Sequence, residues 1–146
     1  MKRLKKVTGE IASASHAQSS IQDVLQAYET ALNASDTGSV MNVFASDSVF
    51  MAPNSPSAVG ADAIRAAYDG LFQKISFETE LTVEEVVQAS PSWAFVRTHS
   101  KVFVNVRAIG QRVPDANHEL FVLHKGNEKD WKIARYSFAT TNPPPQ

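Results

Sequence analysis

Cysteine is absent from the 146 residues. Disulfides, thiolate nucleophiles and cysteine-ligated metals are therefore excluded. Nothing in the chain demands an oxidising compartment, and the cytoplasm is the expected location. An excess of either charge is also lacking: 14 Lys and Arg stand against 15 Asp and Glu, a formal net charge of −1. That balance argues against a broad electrostatic footprint for nucleic acid or for an anionic membrane, and neither partner is expected. No run approaches the roughly 20 apolar residues of a membrane span. The start, Met1-Lys2-Arg3-Leu4-Lys5-Lys6, is basic like the head of a secretion signal. Thr8 to Ser20 is small and polar where such a signal needs an apolar core, so residues 1–19 read as a flexible leader. There is no glycine-rich phosphate loop and no GxSxG elbow, which leaves nucleotide and serine-hydrolase readings without support. The four histidines, His16, His99, His118 and His124, show no HxH or HExxH spacing. No metal and no cofactor is expected.

What is present is ordinary globular composition, 43% hydrophobic and 20% charged, in a chain of single-domain length. Ser20 is placed to cap a first helix, with Asp23 in its first turn. Ile21, Val24, Leu25, Tyr28 and Leu32 recur at helical spacing and make one apolar face. That helix should end near Asn33-Ala34-Ser35, and Asp36 should cap a short second helix carrying Val40, Val43 and Phe44. A short strand over Ser48 to Ala52 and a loop at Pro53-Asn54-Ser55-Pro56 follow. A third helix is expected from about Ala61 to Phe72, burying Ile64, Ala67, Tyr68, Leu71 and Phe72.

From Ser76 the apolar period changes from helical to alternating. Phe77, Thr79, Leu81 and Val83 interleave with Glu78, Glu80, Thr82 and Glu84, and the break at Glu84-Glu85-Val86-Val87 predicts a β-bulge. A second long strand spans about Trp93 to Arg107, and Gly110 to Pro114 reads as a loop. Strands over Asn117–Lys125 and Trp131–Ala139 should form a hairpin across residues 126–130. A tail, residues 141–146, is rich in proline. Helices first and an antiparallel meander afterwards predict the α+β class, with one domain over residues 20–140.

This order resembles the nuclear transport factor 2-like superfamily, in its SnoaL-like, ketosteroid isomerase-like and calcium/calmodulin-dependent kinase association-like branches. The residues that carry the likeness are Ala45 to Pro53, then Val59-Gly60-Ala61-Asp62-Ala63-Ile64 with Tyr68, and finally Trp131 to Phe138. The resemblance implies a cone-shaped, curved antiparallel sheet wrapping the N-terminal helices, an apolar pocket, and a homodimer through the outer sheet face. In ketosteroid isomerases a first-helix Tyr lies eight residues before an Asp that opens the next helix, and here Tyr28 and Asp36 keep that spacing. Glu119, before Leu120-Phe121-Val122-Leu123, falls near the place of that family's second oxyanion carboxyl. The family's general base lies just before a proline after the short strand. Ala52 occupies that place, ahead of Pro53, and has no proton acceptor.

Two readings follow. The first is a small-molecule pocket protein performing acid–base work, such as isomerisation, cyclisation, dehydration or hydration, on an apolar carbonyl-bearing or polycyclic compound. Its candidate catalytic residues are Tyr28 as hydrogen-bond donor and Glu119 or His118 as acid or base. Phe44, Tyr68, His99, Phe121 and Tyr136 are the candidate ligand-binding residues. Against it stand plainer roles: Tyr28 as a core tyrosine, and Glu119 facing solvent or paired with Arg97 or Arg135. His118 shares a strand face with Leu120 and Val122, which predicts a covered side, whereas His99 travels with Arg97 and Lys101 toward solvent or a partner. The second reading, favoured by the alanine at position 52, is a non-catalytic association module.

Overall fold

Helix α1 runs over Thr8–Asn33 in a computed structural model that describes residues 8–127 and 129–145. It begins well before Ser20, so that serine lies inside a helix and not at its cap. Ala12, Ala14 and Ala17 are strong helix formers and no proline interrupts them, so the local preference carries the helix through the expected leader. Residues 1–7 lie outside the described residues. Ile21, Leu25, Tyr28, Ala31 and Leu32 are buried on one face of α1. The chain leaves the helix through Ser35, whose φ is 54°. Asp36 then caps α2 (Thr37–Val43) by accepting the Ser39 N–H at 3.1 Å and the Ser39 hydroxyl at 2.8 Å. Those two bonds hold the Asp36 carboxyl below its ordinary proton affinity.

Strand β1 covers Phe44–Met51, starting at a phenylalanine expected on the helix before it. After the proline loop a two-residue strand, β2 (Ala58–Val59), folds back antiparallel onto β1. Gly60, with φ of 88°, makes the turn into α3 (Ala61–Lys74), which buries Ile64, Tyr68 and Phe72 at four-residue spacing. Then come β3 (Ile75–Gln88), β4 (Trp93–Val106), β5 (Gln111–Lys125) and β6 (Trp131–Thr140). The register of β3 against β4 shifts between Val83 and Glu85, at the predicted bulge. The expected loop at Gly110–Pro114 is mostly strand: the turn is confined to residues 107–110, with Gly110 at φ 62°, and β5 begins at Gln111. Pro114 is tolerated there because β5 does not pair with β6 before Asn117, so that side of the strand asks for no N–H.

The strand order is β2-β1-β6-β5-β4-β3. The meander from β3 to β6 is antiparallel, but β1 pairs with β6 in parallel, so the curved sheet is mixed and does not close. The fold is α+β, with helices α1 and α3 in the concavity. Because β3 is a sheet edge, its outward backbone groups need partners. Helix α1 supplies them: the Asn33 amide accepts the Thr79 N–H at 2.7 Å and donates to the Thr79 carbonyl at 3.0 Å, and Glu29 accepts the Leu81 N–H at 2.7 Å. Among the described residues no helix is long and apolar enough to cross a membrane.

Candidate active site

Alternation along β4 and β5 sends Thr98, Ser100 and Val102 to the concave face together with Asn117, Glu119 and Phe121. Helix α1 brings Tyr28 over this surface, α3 brings Tyr68, and β6 brings Tyr136 and Phe138. The cavity between them has a volume of about 100 Å³, below the roughly 300–1,000 Å³ usual for small-molecule sites.

Glu119 is 5% exposed on this wall. The Thr98 hydroxyl donates to one of its carboxylate oxygens and the Ser100 hydroxyl to the other, each at 2.5 Å. Both hydroxyls are themselves buried. Burial pushes the Glu119 carboxyl above its ordinary proton affinity; the two hydroxyls and the nearby His99 and His118 oppose that push without cancelling it. Among the described residues the carboxyl pairs with no arginine. Arg97 is on the outer face of the sheet with Glu85 at 2.7 Å, and Arg135 donates to the backbone carbonyls of Asp47 and Ala134.

The hydroxyls of Tyr28 and Tyr68 lie 2.7 Å apart in the buried space. Burial pushes the Tyr28 phenol up to about 12, with Tyr68 and Tyr136 drawing it back and the Glu119 charge adding to the rise. Burial also holds the Tyr68 and Tyr136 phenols well above their ordinary range. All three therefore stay protonated near neutral pH and can donate hydrogen bonds. Stacking fixes their orientation: Tyr136 lies flat on Phe121 at 4.2 Å between ring centroids, and Phe50 stacks on Tyr68 at 5.1 Å.

Of the residues singled out from the sequence, Tyr28, Tyr68, Glu119 and Tyr136 meet at this cavity. Phe44 and Phe121 sit behind it, packed edge-on against Tyr28 at 6.2 and 5.8 Å. His118 and His99 do not join them. They face each other across β5 and β4 on the outer side, where His118 is exposed and His99 pairs with Glu84. Within the single chain the side that His118 shares with Leu120 is open, Leu120 being 46% exposed. Adjacent strand residues point to opposite faces, so a buried Glu119 forces His118 outward. Asp36 is spent on capping, and Ala52 offers no acceptor to the cavity. Asp115 and Asn117, with Thr79, also line the wall, and Thr98 and Ser100 hold Glu119; none of these was singled out from the sequence as a site residue. The signal for the first two was the polar row Asp115, Asn117, Glu119, at the period that puts one strand face in register.

Among the described residues no group of three or more His, Asp and Glu side chains is placed to hold a metal ion. No curated protein matches the chain. Among solved structures, a ketosteroid isomerase-like protein from Erwinia carotovora atroseptica is 35% identical, covering 86% of this chain and 96% of its own with a TM-score of 0.82. A candidate scytalone dehydratase from Novosphingobium aromaticivorans shares the fold at 18% identity, 90% and 89% coverage and a TM-score of 0.76. The hexachlorocyclohexane dehydrochlorinase LinA type 2 does so at 10% identity, 88% coverage of each chain and a TM-score of 0.80. Residues 22–135 match the SnoaL-like polyketide cyclase family, and with a relative this similar along almost its whole length, the chain belongs to that family.

Proposed function

We propose that the cavity performs acid–base chemistry on an apolar carbonyl compound, an isomerisation, cyclisation or dehydration in which Glu119 moves the proton. The observation that carries this reading is Glu119 itself: a carboxyl 5% exposed, fixed through both oxygens, sharing a cavity with protonated tyrosines. A carboxyl whose proton affinity is raised toward neutrality is suited to take and return a proton. As ionised Glu119 removes a proton from the carbon beside the carbonyl, the C–H electron pair forms a carbon–carbon double bond and the carbonyl π pair moves onto the oxygen. The Tyr28, Tyr68 and Tyr136 hydroxyls are the donors available to that developing charge. Return of the proton to a different carbon is an isomerisation; loss of a leaving group is an elimination. Here Glu119 takes over the proton transfer that a side chain at Ala52 cannot perform. The names of the similar structures, an isomerase-like protein and a candidate dehydratase, support chemistry of this kind.

Deuterium exchange tests it without knowledge of the natural product. Incubated in D₂O with 2-tetralone, the protein should accelerate loss of the α-proton NMR signals. Glu119→Gln should remove about 10²- to 10⁴-fold of that acceleration. Exchange no faster than in buffer, or unchanged in the variant, sinks the reading.

A second reading has its own observation. On the outer face, Leu120 is 46% exposed beside half-buried Phe95 and Val122, an apolar patch that the described residues leave open. The proposal is a homodimer through this face, which is also what a purely associating module would need. Sedimentation should give a dimer that Leu120→Lys splits. A wild-type monomer at micromolar concentration removes both the dimer and the module.

A further inference from the structure

The charges of the cavity are one-sided. Among the described residues Glu29, Asp115 and Glu119 line it, and no Lys, Arg or His does. The ion pairs among the described residues, Arg97–Glu85, His99–Glu84 and Arg112–Glu78, all lie on the outer side of the sheet. Inside, each carboxylate is held by neutral donors. Glu29 accepts from the Leu81 N–H at 2.7 Å and the Gln26 amide at 3.1 Å. Asp115 accepts from the Ala116 N–H and the Thr140 hydroxyl, both at 2.8 Å, and from the Asn142 amide at 3.1 Å. Glu119 accepts from Thr98 and Ser100.

Neutral donors orient a carboxylate without cancelling its charge. In a cleft walled by low-dielectric groups, charges of one sign add, and their field concentrates in the opening. The surrounding aromatic rings reinforce the sign, because the faces of Phe and Tyr are negative. The Thr79 hydroxyl, in the same wall, is buried and has no partner among the described residues.

We propose that the cavity selects ligands whose apolar body carries a cationic nitrogen, a protonated amine or quaternary ammonium, and disfavours those bearing carboxylate, sulfate or phosphate. The inference rests on the reading of this cavity as a ligand site and adds the charge of what enters it. Asp115 and Glu119 sit four residues apart on β5, about 13 Å at roughly 3.3 Å per residue. The nitrogen therefore has two possible stations, one at each end of an apolar wall.

Calorimetry on the full chain at low salt, with three naphthalene-sized probes, decides it. The probes are (2-naphthylmethyl)trimethylammonium, 2-acetylnaphthalene and 2-naphthoate. The ammonium should bind about tenfold or more tighter than the ketone, and the naphthoate weaker than the ketone. Glu119→Gln or Asp115→Asn should narrow the gap between ammonium and ketone, and whichever narrows it more marks the station of the nitrogen. The wild-type series alone decides charge preference where a variant fails to fold. Ketone or naphthoate binding as tightly as the ammonium overturns the proposal while leaving the ligand-cavity reading intact. A gap that neither variant narrows also overturns it. No binding by any of the three removes both.

Discussion

The Ser100 hydroxyl donates to one carboxylate oxygen of Glu119 at 2.5 Å, and the two side chains are 2% and 5% exposed. A hydrogen bond given to the ionised form lowers proton affinity, so Ser100 restrains the rise that burial imposes. Ser100→Ala should therefore move the Glu119 titration to higher pH. Thr98→Val should do the same, and the double variant should move it further. Carbon-detected NMR of the Glu119 carboxyl reads this directly. A titration that stays put or falls in these variants contradicts the arrangement.

The same carboxyl makes stability depend on pH, with a definite sign. Its folded proton affinity is raised above the unfolded value of about 4.3. Between the unfolded and the folded value the unfolded chain has shed the proton while the folded chain still holds it. The Glu119 contribution is therefore fully present below the unfolded value and is lost as pH rises through the folded one. Glu119→Gln should gain on the wild type as pH rises from 4 to 8. Urea unfolding of both proteins across that range gives the difference curve, and a gap that moves the other way counts against a raised affinity.

Tyr28→Phe strands the buried Tyr68 hydroxyl that now lies 2.7 Å from its partner. The expected cost is about 1–3 kcal/mol in urea unfolding, the usual penalty for a buried polar group left alone. Tyr68→Phe should cost a similar amount, and the double variant less than the sum of the two, since the pair is shared. Additive losses mean that the two hydroxyls are not coupled.

Asn33 closes the sheet edge at Thr79 with two hydrogen bonds. Asn33→Ala should cost about 1–3 kcal/mol by leaving backbone groups of β3 without a protein partner. Amide exchange should accelerate most at Thr79, whose N–H is freed. If that amide keeps its wild-type protection, the helix is not what covers the edge.

Glu119 was singled out only by the resemblance, whereas the place of Tyr28 on the buried face of α1 was legible because spacing along a helix is a local rule. The bulge at Val83/Glu85 was legible for the same reason: an alternating pattern cannot break without one. Three features were not legible. The start of α1 was hidden by serines, which cap helices only where the preceding chain cannot itself be helical. The wall side of β5 was hidden because Leu120 and Val122 are as apolar as Phe121 and Leu123, so composition does not say which face is covered. The parallel pairing of β1 with β6 was hidden because it joins residues such as Phe44 and Ile133 that no local pattern connects.

That pairing also orders events in time. Strand β6 lies between β1 and β5, so a strand made after the other five is the one that joins the two halves of the sheet. Until it is made, β1 and β2 have no edge of the meander to join, and the Phe50 and Tyr68 rings lack the Tyr136 side of their stack. Non-local pairing of this kind is slow to form and leaves apolar strand edges open meanwhile. The cavity is therefore completed only once β6 has emerged and paired, after every other strand of the sheet has been made.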